Sequence, residues 1–222
     1  IYTAMHTKPN VLEQEGIMKP SIFLPTKKTY TYKNWLNGGK ITSKGTEEVK
    51  REYAIAVRET MGELWTLLRE GKREEVLKVA NERIAQFLNP DHYIPPSKLA
   101  RSVQYNKTEK STPAHGVLAQ RLRRTDPHLA PEYGDRFEFV VCQTLNKKTK
   151  LKDRIFHLTS VEQSEGKLVP DRLYYFEHQM LACLKRFFFW TEGGCGVLIK
   201  KALGFAPIKV DSESDDDDDN NI

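Results

Sequence analysis

Residues 21–33 read SIFLPTKKTYTYK, and this stretch predicts two short strands around a turn. Residues 21–24 are mostly apolar, Pro25 interrupts the chain, and residues 29–32 alternate Thr with Tyr, a composition typical of strands. The turn carries Lys27 and Lys28, so the pattern places two ammonium groups at a hairpin tip beside a phenol. The Asn-Gly-Gly sequence at residues 37–39 then ends the segment.

Downstream, apolar residues recur at spacings of three and four, which predicts two antiparallel helices. The first has Thr46 as its expected N-cap and Gly71 as its stop, and the second ends before Asn89 and Pro90. The apolar positions of the first are Tyr53, Val57, Met61, Leu64 and Leu68, and those of the second are Val76, Ala80, Ile84 and Phe87.

The remaining pattern predicts a short helix over residues 114–124, a strand over 136–145, a charged turn over 147–152 and a last helix. The last helix starts near Pro170 and Asp171, and its apolar positions are Leu173, Phe176, Met180, Leu184 and Phe187. The expected fold class is therefore α+β and mainly helical. It has a short antiparallel β segment at the N-terminus and a small β element near residues 136–158.

Charge is distributed unevenly along the chain. The net charge is +5, yet residues 211–222 hold seven acids and no base, so the rest carries +12. A body this basic favours a polyanion, and nucleic-acid phosphate is the commonest one, although a basic soluble protein without such a partner has a similar composition. The acidic tail has almost nothing apolar to bury, which predicts disorder.

Other function classes are disfavoured by what the sequence lacks. Cys142, Cys183 and Cys195 form no CxxC pair, which excludes zinc modules built on four cysteines. The sequence contains no phosphate-binding GxxxxGK[ST] loop, no HExxH motif and no apolar run of membrane-spanning length. The chain opens at Ile1 in mid-pattern, which we interpret as the start of a piece of a longer chain.

Basic clusters recur at the ends of predicted elements. Lys40, Lys44, Lys50 and Arg51 surround the expected start of the first helix, where free N–H groups would add to the attraction for phosphate. Further clusters are Arg121, Arg123 and Arg124 on the short helix, and Lys147, Lys148, Lys150 and Lys152 in the charged turn. One such cluster is usually an ordinary solvated surface, but their repetition favours nucleic-acid binding.

These segments resemble family B DNA polymerases. Residues 27–30, KKTY, resemble the KKRY-type motif where palm and thumb join, and Lys44-Gly45 with Val49-Lys50-Arg51 resembles the KG…VRR stretch. Residues 114–121 with 134–136 are similar to the AHV…VA and GD segments, and residues 170–179 to the D-x-x-YY-x-x-x-Q helix. The sequence departs from these motifs at Thr29 (usually Arg), Gly116 (commonly Val) and His178 (frequently Asn).

The resemblance implies a domain organisation: residues 1–36 as the end of a palm domain, 37–192 as a thumb domain, and 193–222 as a C-terminal extension with the disordered acidic tail. It also implies that the chain is part of a DNA-directed DNA polymerase that grips primer–template DNA. The implied DNA-binding residues are Lys27, Lys28, Tyr30, Lys44, Lys50, Arg51, His115 and Arg121. The catalytic aspartates would lie upstream, so we expect no catalytic residue and no cofactor here, with Mg²⁺ required by the complete enzyme.

The expected partners are primer–template DNA, the remainder of the polymerase chain and, through the C-terminus, a processivity factor, with no membrane. Because three cysteines cannot form the two cysteine-rich modules of cellular replicative members, the resemblance indicates a large-DNA-virus polymerase. Such an enzyme acts inside the cell, in the host nucleus or in a cytoplasmic factory. Two alternatives remain at this stage: a non-catalytic basic nucleic-acid-binding module, and a segment that docks a processivity partner.

Overall fold

A computed structural model describes residues 18–23, 29–34, 38–106, 113–146 and 148–188, the first of these ranges by its backbone only. Within them the chain forms two small antiparallel sheets and a set of helices, which confirms the expected α+β class. None of the described helices is both long and apolar enough to cross a bilayer. Lys27, Lys28, Lys147 and the acidic tail lie outside the described residues.

The first sheet contains the predicted hairpin and one further strand. Strand β1 spans Met18–Phe23, β2 spans Tyr30–Asn34 and β3 spans Lys40–Lys44, in the order β1-β2-β3. The turn before β3 depends on Gly38 and Gly39, whose φ angles of 61° and 76° lie in the left-handed region that glycine tolerates. Sequence patterning missed β3 because KITSK has few apolar residues and is exposed at both ends.

Two antiparallel helices follow: α1 spans Ile55–Arg69 and α2 spans Arg73–Leu88. Gly71, with a φ of 78°, ends the first as expected. The prediction of Thr46 as its N-cap was wrong, because α1 begins nine residues later, after Ala54. Thr46 is buried and precedes a 3-10 turn, Glu47–Val49, and the residues that follow lead to α1.

The second sheet lies beyond the helix pair. Short helix α3, Pro96–Leu99, leads into β4, Arg101–Gln104, which pairs with β5, Arg136–Val141, and β5 pairs in turn with β6, Ile155–His157. The expected β element near 136–158 is therefore confirmed, and β4 is its unforeseen third strand. Helix α4 spans Ala114–Thr125, with the 3-10 turn Pro127–Leu129 after it, and α5 spans Leu158–Glu162 after the 3-10 turn Leu151–Asp153.

The last helix is continuous but not uniform. It consists of α6, Arg172–Tyr175, a π-helical turn, Phe176–Met180, and α7, Leu181–Phe187. Asp171 caps it by accepting a hydrogen bond from the backbone N–H of Tyr174 at 3.0 Å, as the Pro-Asp start predicts. Leu173 was expected on the buried face, but it is 54% exposed because Tyr175 and Phe176, at 0% and 1% exposed, occupy the inward face of the helix start.

One apolar core joins the helices to the second sheet. Its centre includes the edge-to-face pair of Trp65 on α1 and Phe187 on α7, whose ring centroids are 4.7 Å apart. The largest fully buried side chains are Trp65, Tyr175, Phe176, Phe187, Phe188, Met61, Leu64, Ile84, Leu99, Leu118, Ile155 and Met180. The last helix therefore holds the fold together from the C-terminal side of the described chain.

We expect stability to fall at acid pH because of His157. Its Nδ1 accepts a hydrogen bond from the backbone N–H of Thr159 at 3.3 Å, capping α5, and burial lowers the pKa of the imidazole despite nearby Glu138 and Asp126. The neutral ring therefore stabilises the fold above its ordinary pKa of about 6.5, and this contribution is lost as pH falls below that value.

The measurement is urea unfolding at pH 7.5 and pH 5.0 for the unsubstituted chain and for His157→Asn. Asparagine keeps an acceptor at the cap position but does not titrate, so its loss of unfolding free energy between the two pH values should be smaller. An equal loss in both proteins would contradict the role assigned to His157.

Candidate nucleic-acid interface

One face of the first sheet carries tyrosines and lysines side by side. Cross-strand register places Tyr30 opposite Lys44, Tyr32 opposite Thr42 and Asn34 opposite Lys40, so these residues share a face. The rings of Tyr30 and Tyr32 are nearly parallel, at 23°, with centroids 5.9 Å apart. We call Tyr30, Tyr32, Lys40, Thr42 and Lys44 the tyrosine–lysine face.

The opposite face of the sheet is anchored to α1. Thr31 is fully buried, and its hydroxyl lies 2.9 Å from the hydroxyl of Ser43 and accepts a hydrogen bond from Arg69 Nη1 at 2.8 Å. Arg69 stands in the last turn of α1 and also pairs with Glu48 at 3.4 Å. Because strand side chains alternate between faces, this anchor turns the tyrosine–lysine face away from α1.

The linker that follows, residues 46–54, contains three acids and two bases, and two of the acids are paired with arginines. Glu47 is 3% exposed and accepts a hydrogen bond from Arg186 Nε at 3.0 Å, while Glu48 pairs with Arg69. Lys50 is half-buried and Arg51 exposed, and no ion pair among the described residues involves either of them or Lys44. Two of the three acids of the segment are therefore paired with arginines, whereas its two bases and Glu52 have no ion pair among the described residues.

Among the described groups that Arg186 contacts, Glu47 is the one that carries a negative charge near pH 7. Its Nη2 donates to the hydroxyl of Tyr53 at 2.9 Å and lies 3.6 Å from Cys183 Sγ. Burial raises the pKa of Tyr53 above its usual value and the pKa of Cys183 to about 12, so both groups are neutral near pH 7. The positive charge is thus balanced by the buried carboxylate alone.

The backbone of the linker is also held from two sides. The N–H of Ala54, immediately before α1, donates to Oε1 of buried Gln179 at 2.8 Å, and Arg101 Nε donates to the carbonyl of Glu52 at 2.9 Å. The sequence predicted that the helix start would offer N–H groups to phosphate. The N–H of Ala54 is not free for this, because it is bound to Gln179 of the last helix.

The arginine cluster on α4 has a structural use that the sequence did not reveal. Arg121 donates to the backbone carbonyl of Ile155, and its guanidinium lies 5.1 Å from the centre of the Phe156 ring. Arg123 stacks over Tyr105 at 5.0 Å, whereas Arg124 is exposed. Much of this cluster thus joins α4 to its neighbours.

The predicted site residues therefore divide into groups. Tyr30 and Lys44 lie on the tyrosine–lysine face, and Lys50 and Arg51 lie on the adjoining linker. His115 is half-buried in the first turn of α4, on the same helix as Arg121. Sequence reasoning missed the supporting groups Arg69, Gln179 and Arg186, and the one signal for them was the pair of acids, Glu47 and Glu48, inside a basic stretch.

The described residues do not assemble a metal centre. No three His, Cys, Asp or Glu side chains among them converge as a bound metal ion would require. Cys142 and Cys183 are buried, and burial raises the pKa of each thiol to about 12, which leaves them as poor nucleophiles.

Comparison with known proteins gives a consistent result. The family model described as DNA polymerase family B matches residues 1–189. The chain is 30% identical over 179 residues to a DNA polymerase of Thermococcus kodakarensis, covering 79% of this chain and 10% of that protein. It is 30% identical over 187 residues to the DNA polymerase delta catalytic subunit of Candida albicans, covering 81% of this chain and 17% of that protein.

A solved structure shares the fold. The family B DNA polymerase from the hyperthermophilic archaeon Pyrobaculum calidifontis matches with a TM-score of 0.55 and 18% sequence identity, covering 78% of this chain and 21% of that one. The chain thus spans about a tenth to a fifth of the relatives that it matches.

The buried pair of Glu47 and Arg186 yields a test of how the linker is held. Arg186→Met should lower the free energy of unfolding by roughly 1–3 kcal/mol, because it leaves a buried carboxylate uncompensated, the amount being reduced by the partial exposure of the guanidinium. Adding Glu47→Gln should recover most of that loss, since the orphaned charge is then removed. Urea denaturation of the two variants measures this, and a further loss in the double variant would contradict the assignment.

Proposed function

The chain belongs to DNA polymerase family B, and we propose that it is the part of a DNA-directed DNA polymerase that grips the primer–template duplex. The observation that carries this proposal is the pairing of charge beside the tyrosine–lysine face: Glu47 and Glu48 are paired with arginines, whereas Lys44, Lys50 and Arg51 have no ion pair among the described residues. A polymerase must hold every sequence equally well, and contacts to phosphate meet that need because they carry no sequence information.

The aromatic part of the face adds a second kind of contact. Base pairs present similar acceptors in the minor groove whatever their sequence, so a lysine or a tyrosine hydroxyl can bind there with little preference. The family motif also includes Lys27 and Lys28, which lie in sequence between β1 and β2. We propose that these two lysines, with Tyr30 and Lys44, follow the minor groove, while Lys50 and Arg51 contact phosphates.

In domain terms, we propose that residues 1–36 complete the palm and that residues 37–192 form the thumb. The continuous core from Ala54 to Phe188 supports a single thumb unit, with the first sheet at its margin. His115 and Arg121 would then serve the thumb differently: Arg121 braces α4 against β6, and His115 remains the candidate for a DNA contact from that helix.

Bond formation is assigned elsewhere in the polymerase. Among the described residues, no group of three or more His, Cys, Asp or Glu side chains could hold a metal ion, and we propose that the metal ions and catalytic aspartates belong to another part of the enzyme. We propose that this chain contributes duplex affinity at the site of DNA replication in the cell. The relatives are archaeal and eukaryotic, and a viral source, inferred from cysteine content, stays a prediction.

The main test compares two triple variants of the full 222-residue chain. Lys44, Lys50 and Arg51 changed to Ala should weaken duplex binding at least about tenfold at 50 mM salt. They should also make the log–log salt slope shallower by about 2, because Lys50 and Arg51, the two bases assigned to phosphates, contribute about 0.9 each.

The matched control changes Lys72, Arg73 and Lys78 to Ala, which removes the same charge from α2 and the residue before it. Lys72 pairs with Glu70 at 2.9 Å and Lys78 with Glu82 at 4.0 Å, so their charges are locally balanced. The control should keep the slope nearly unchanged. Fluorescence anisotropy on two duplexes of unrelated sequence measures both effects, and equal losses in the two variants would refute the proposed interface.

The acidic tail gives a separate prediction. Tethered to a basic body, residues 211–222 are present at an effective concentration near the millimolar scale and should compete weakly with DNA. Deleting them should tighten duplex binding about two- to tenfold, mostly at low salt, because screening weakens exposed charge pairs. A tail of equal length with its acids changed to Asn or Ser should behave like the deletion. If the tail instead docks a processivity factor, duplex affinity will be the same with and without it.

A further inference from the structure

Side chains of the last helix bind the linker on both sides of Lys50 and Arg51. Arg186 binds the carboxylate of Glu47 at 3.0 Å and the hydroxyl of Tyr53 at 2.9 Å. Oε1 of Gln179 accepts a hydrogen bond from the backbone N–H of Ala54 at 2.8 Å. These attachment points bracket residues 50 and 51, the two bases that the interface presents beside the first sheet.

The same helix grips the second sheet by a matching bond. The hydroxyl of Tyr175 accepts a hydrogen bond from the backbone N–H of Val141, in β5, at 2.8 Å. This hydrogen bond is buried, as is the one between Ala54 and Gln179. One helix therefore holds two backbone N–H groups of different parts of the fold, using side chains only four positions apart. The relative placement of β5 and the linker is set by the helical turn between them.

That turn is π-helical. Residues Phe176–Met180 form the π segment, which inserts one extra residue and rotates everything after it by about 100° relative to a regular α-helix. The rotation decides where Arg186 points relative to Tyr175. Single π turns are uncommon and occur frequently at functional sites. The π turn lies next to Tyr175 and contains Gln179, which favours a role beyond packing.

Among the described residues, the carbonyl oxygen of the Gln179 amide has a hydrogen-bond partner and its nitrogen has none. Gln179 is 4% exposed, so the unpaired Nε2 is buried. An unpaired buried amide nitrogen costs free energy, which an apolar side chain of similar length would avoid. The contribution of Gln179 therefore rests on its carbonyl oxygen and on the N–H of Ala54 that the oxygen holds.

We propose that Gln179 and Arg186 are positioning residues that hold Lys50 and Arg51 in register with the tyrosine–lysine face, so that the linker meets the duplex as a preformed surface. This rests on the proposed function, since the bases act only if the chain binds DNA. Preformed contacts bind more tightly because the linker loses less conformational freedom when the duplex arrives.

The test uses two substitutions in the full 222-residue chain that remove the same kind of bond. Gln179→Met and Tyr175→Phe each take a side-chain acceptor from a buried backbone N–H held at 2.8 Å, with little change in volume. Both should lower the urea midpoint by comparable amounts. Only Gln179→Met should weaken duplex binding, by about three- to tenfold, and make the salt slope shallower by about 1, the value of one phosphate contact.

A double-mutant cycle then asks whether Gln179 acts through the linker. In a background with Lys50→Ala and Arg51→Ala, Gln179→Met should cause no further loss of duplex affinity, because the groups it positions are gone. Equal additional losses in both backgrounds would overturn the inference. So would equal losses of affinity from Gln179→Met and Tyr175→Phe, since a purely structural role predicts that result.

A measurement without DNA separates this inference from the proposed function. Trypsin cleaves after Lys50 and Arg51, and Gln179→Met should speed that cleavage at least threefold under native conditions because the linker opens more often. Tyr175→Phe should leave the rate unchanged, and unchanged cleavage in Gln179→Met would overturn the positioning role. If the unsubstituted chain fails to bind duplex at low salt, the proposed function and this inference both fall, whereas normal binding with additive losses overturns the inference alone.

Discussion

The buried carboxylate of Glu47 imposes the main constraint on this fold. A carboxylate that is 3% exposed needs a cation and hydrogen bonds, and Arg186, near the other end of the described chain, supplies both. This pair ties the segment that follows the first sheet to the end of the last helix. Glu47 itself lies in the 3-10 turn Glu47–Val49, and α1 begins only at Ile55.

Arginine and lysine have different uses in this molecule. Arg69, Arg121 and Arg186 each donate to a carbonyl, hydroxyl or carboxylate of a distant element, and Arg172 binds the carbonyls that end α2. The planar guanidinium suits such work because it presents several donors in fixed directions. Exposed lysines such as Lys40, Lys44, Lys148 and Lys150 keep their charge at the surface. A long, mobile ammonium suits contact with duplex of any sequence, because it needs no fixed geometry.

Local pattern predicted much of the fold. The alternation of Thr and Tyr located β2, the three-and-four spacing located α1, α2 and α4, and Pro170 with Asp171 located the start of the last helix. The failures share a cause. β3 and β4 are short and weakly apolar, so they become strands by pairing with β2 and β5 and not by their own composition. Thr46 resembles an N-cap in the sequence, because the sequence does not show that the next residue, Glu47, is buried and bound to Arg186.

The sequence by itself determined the family resemblance, the basic character of the body and the positions of its main helices, because spacing and composition are local properties. Only the tertiary structure decided which charges are available to a partner. Arg121 and Lys50 are equally basic in sequence, yet Arg121 is bound to β6, while no acid is paired with Lys50 among the described residues. Likewise, nothing near Gln179 in sequence indicates that it holds Ala54, 125 residues away. Long-range hydrogen bonds and ion pairs depend on how elements pack, and that information is spread over the whole chain.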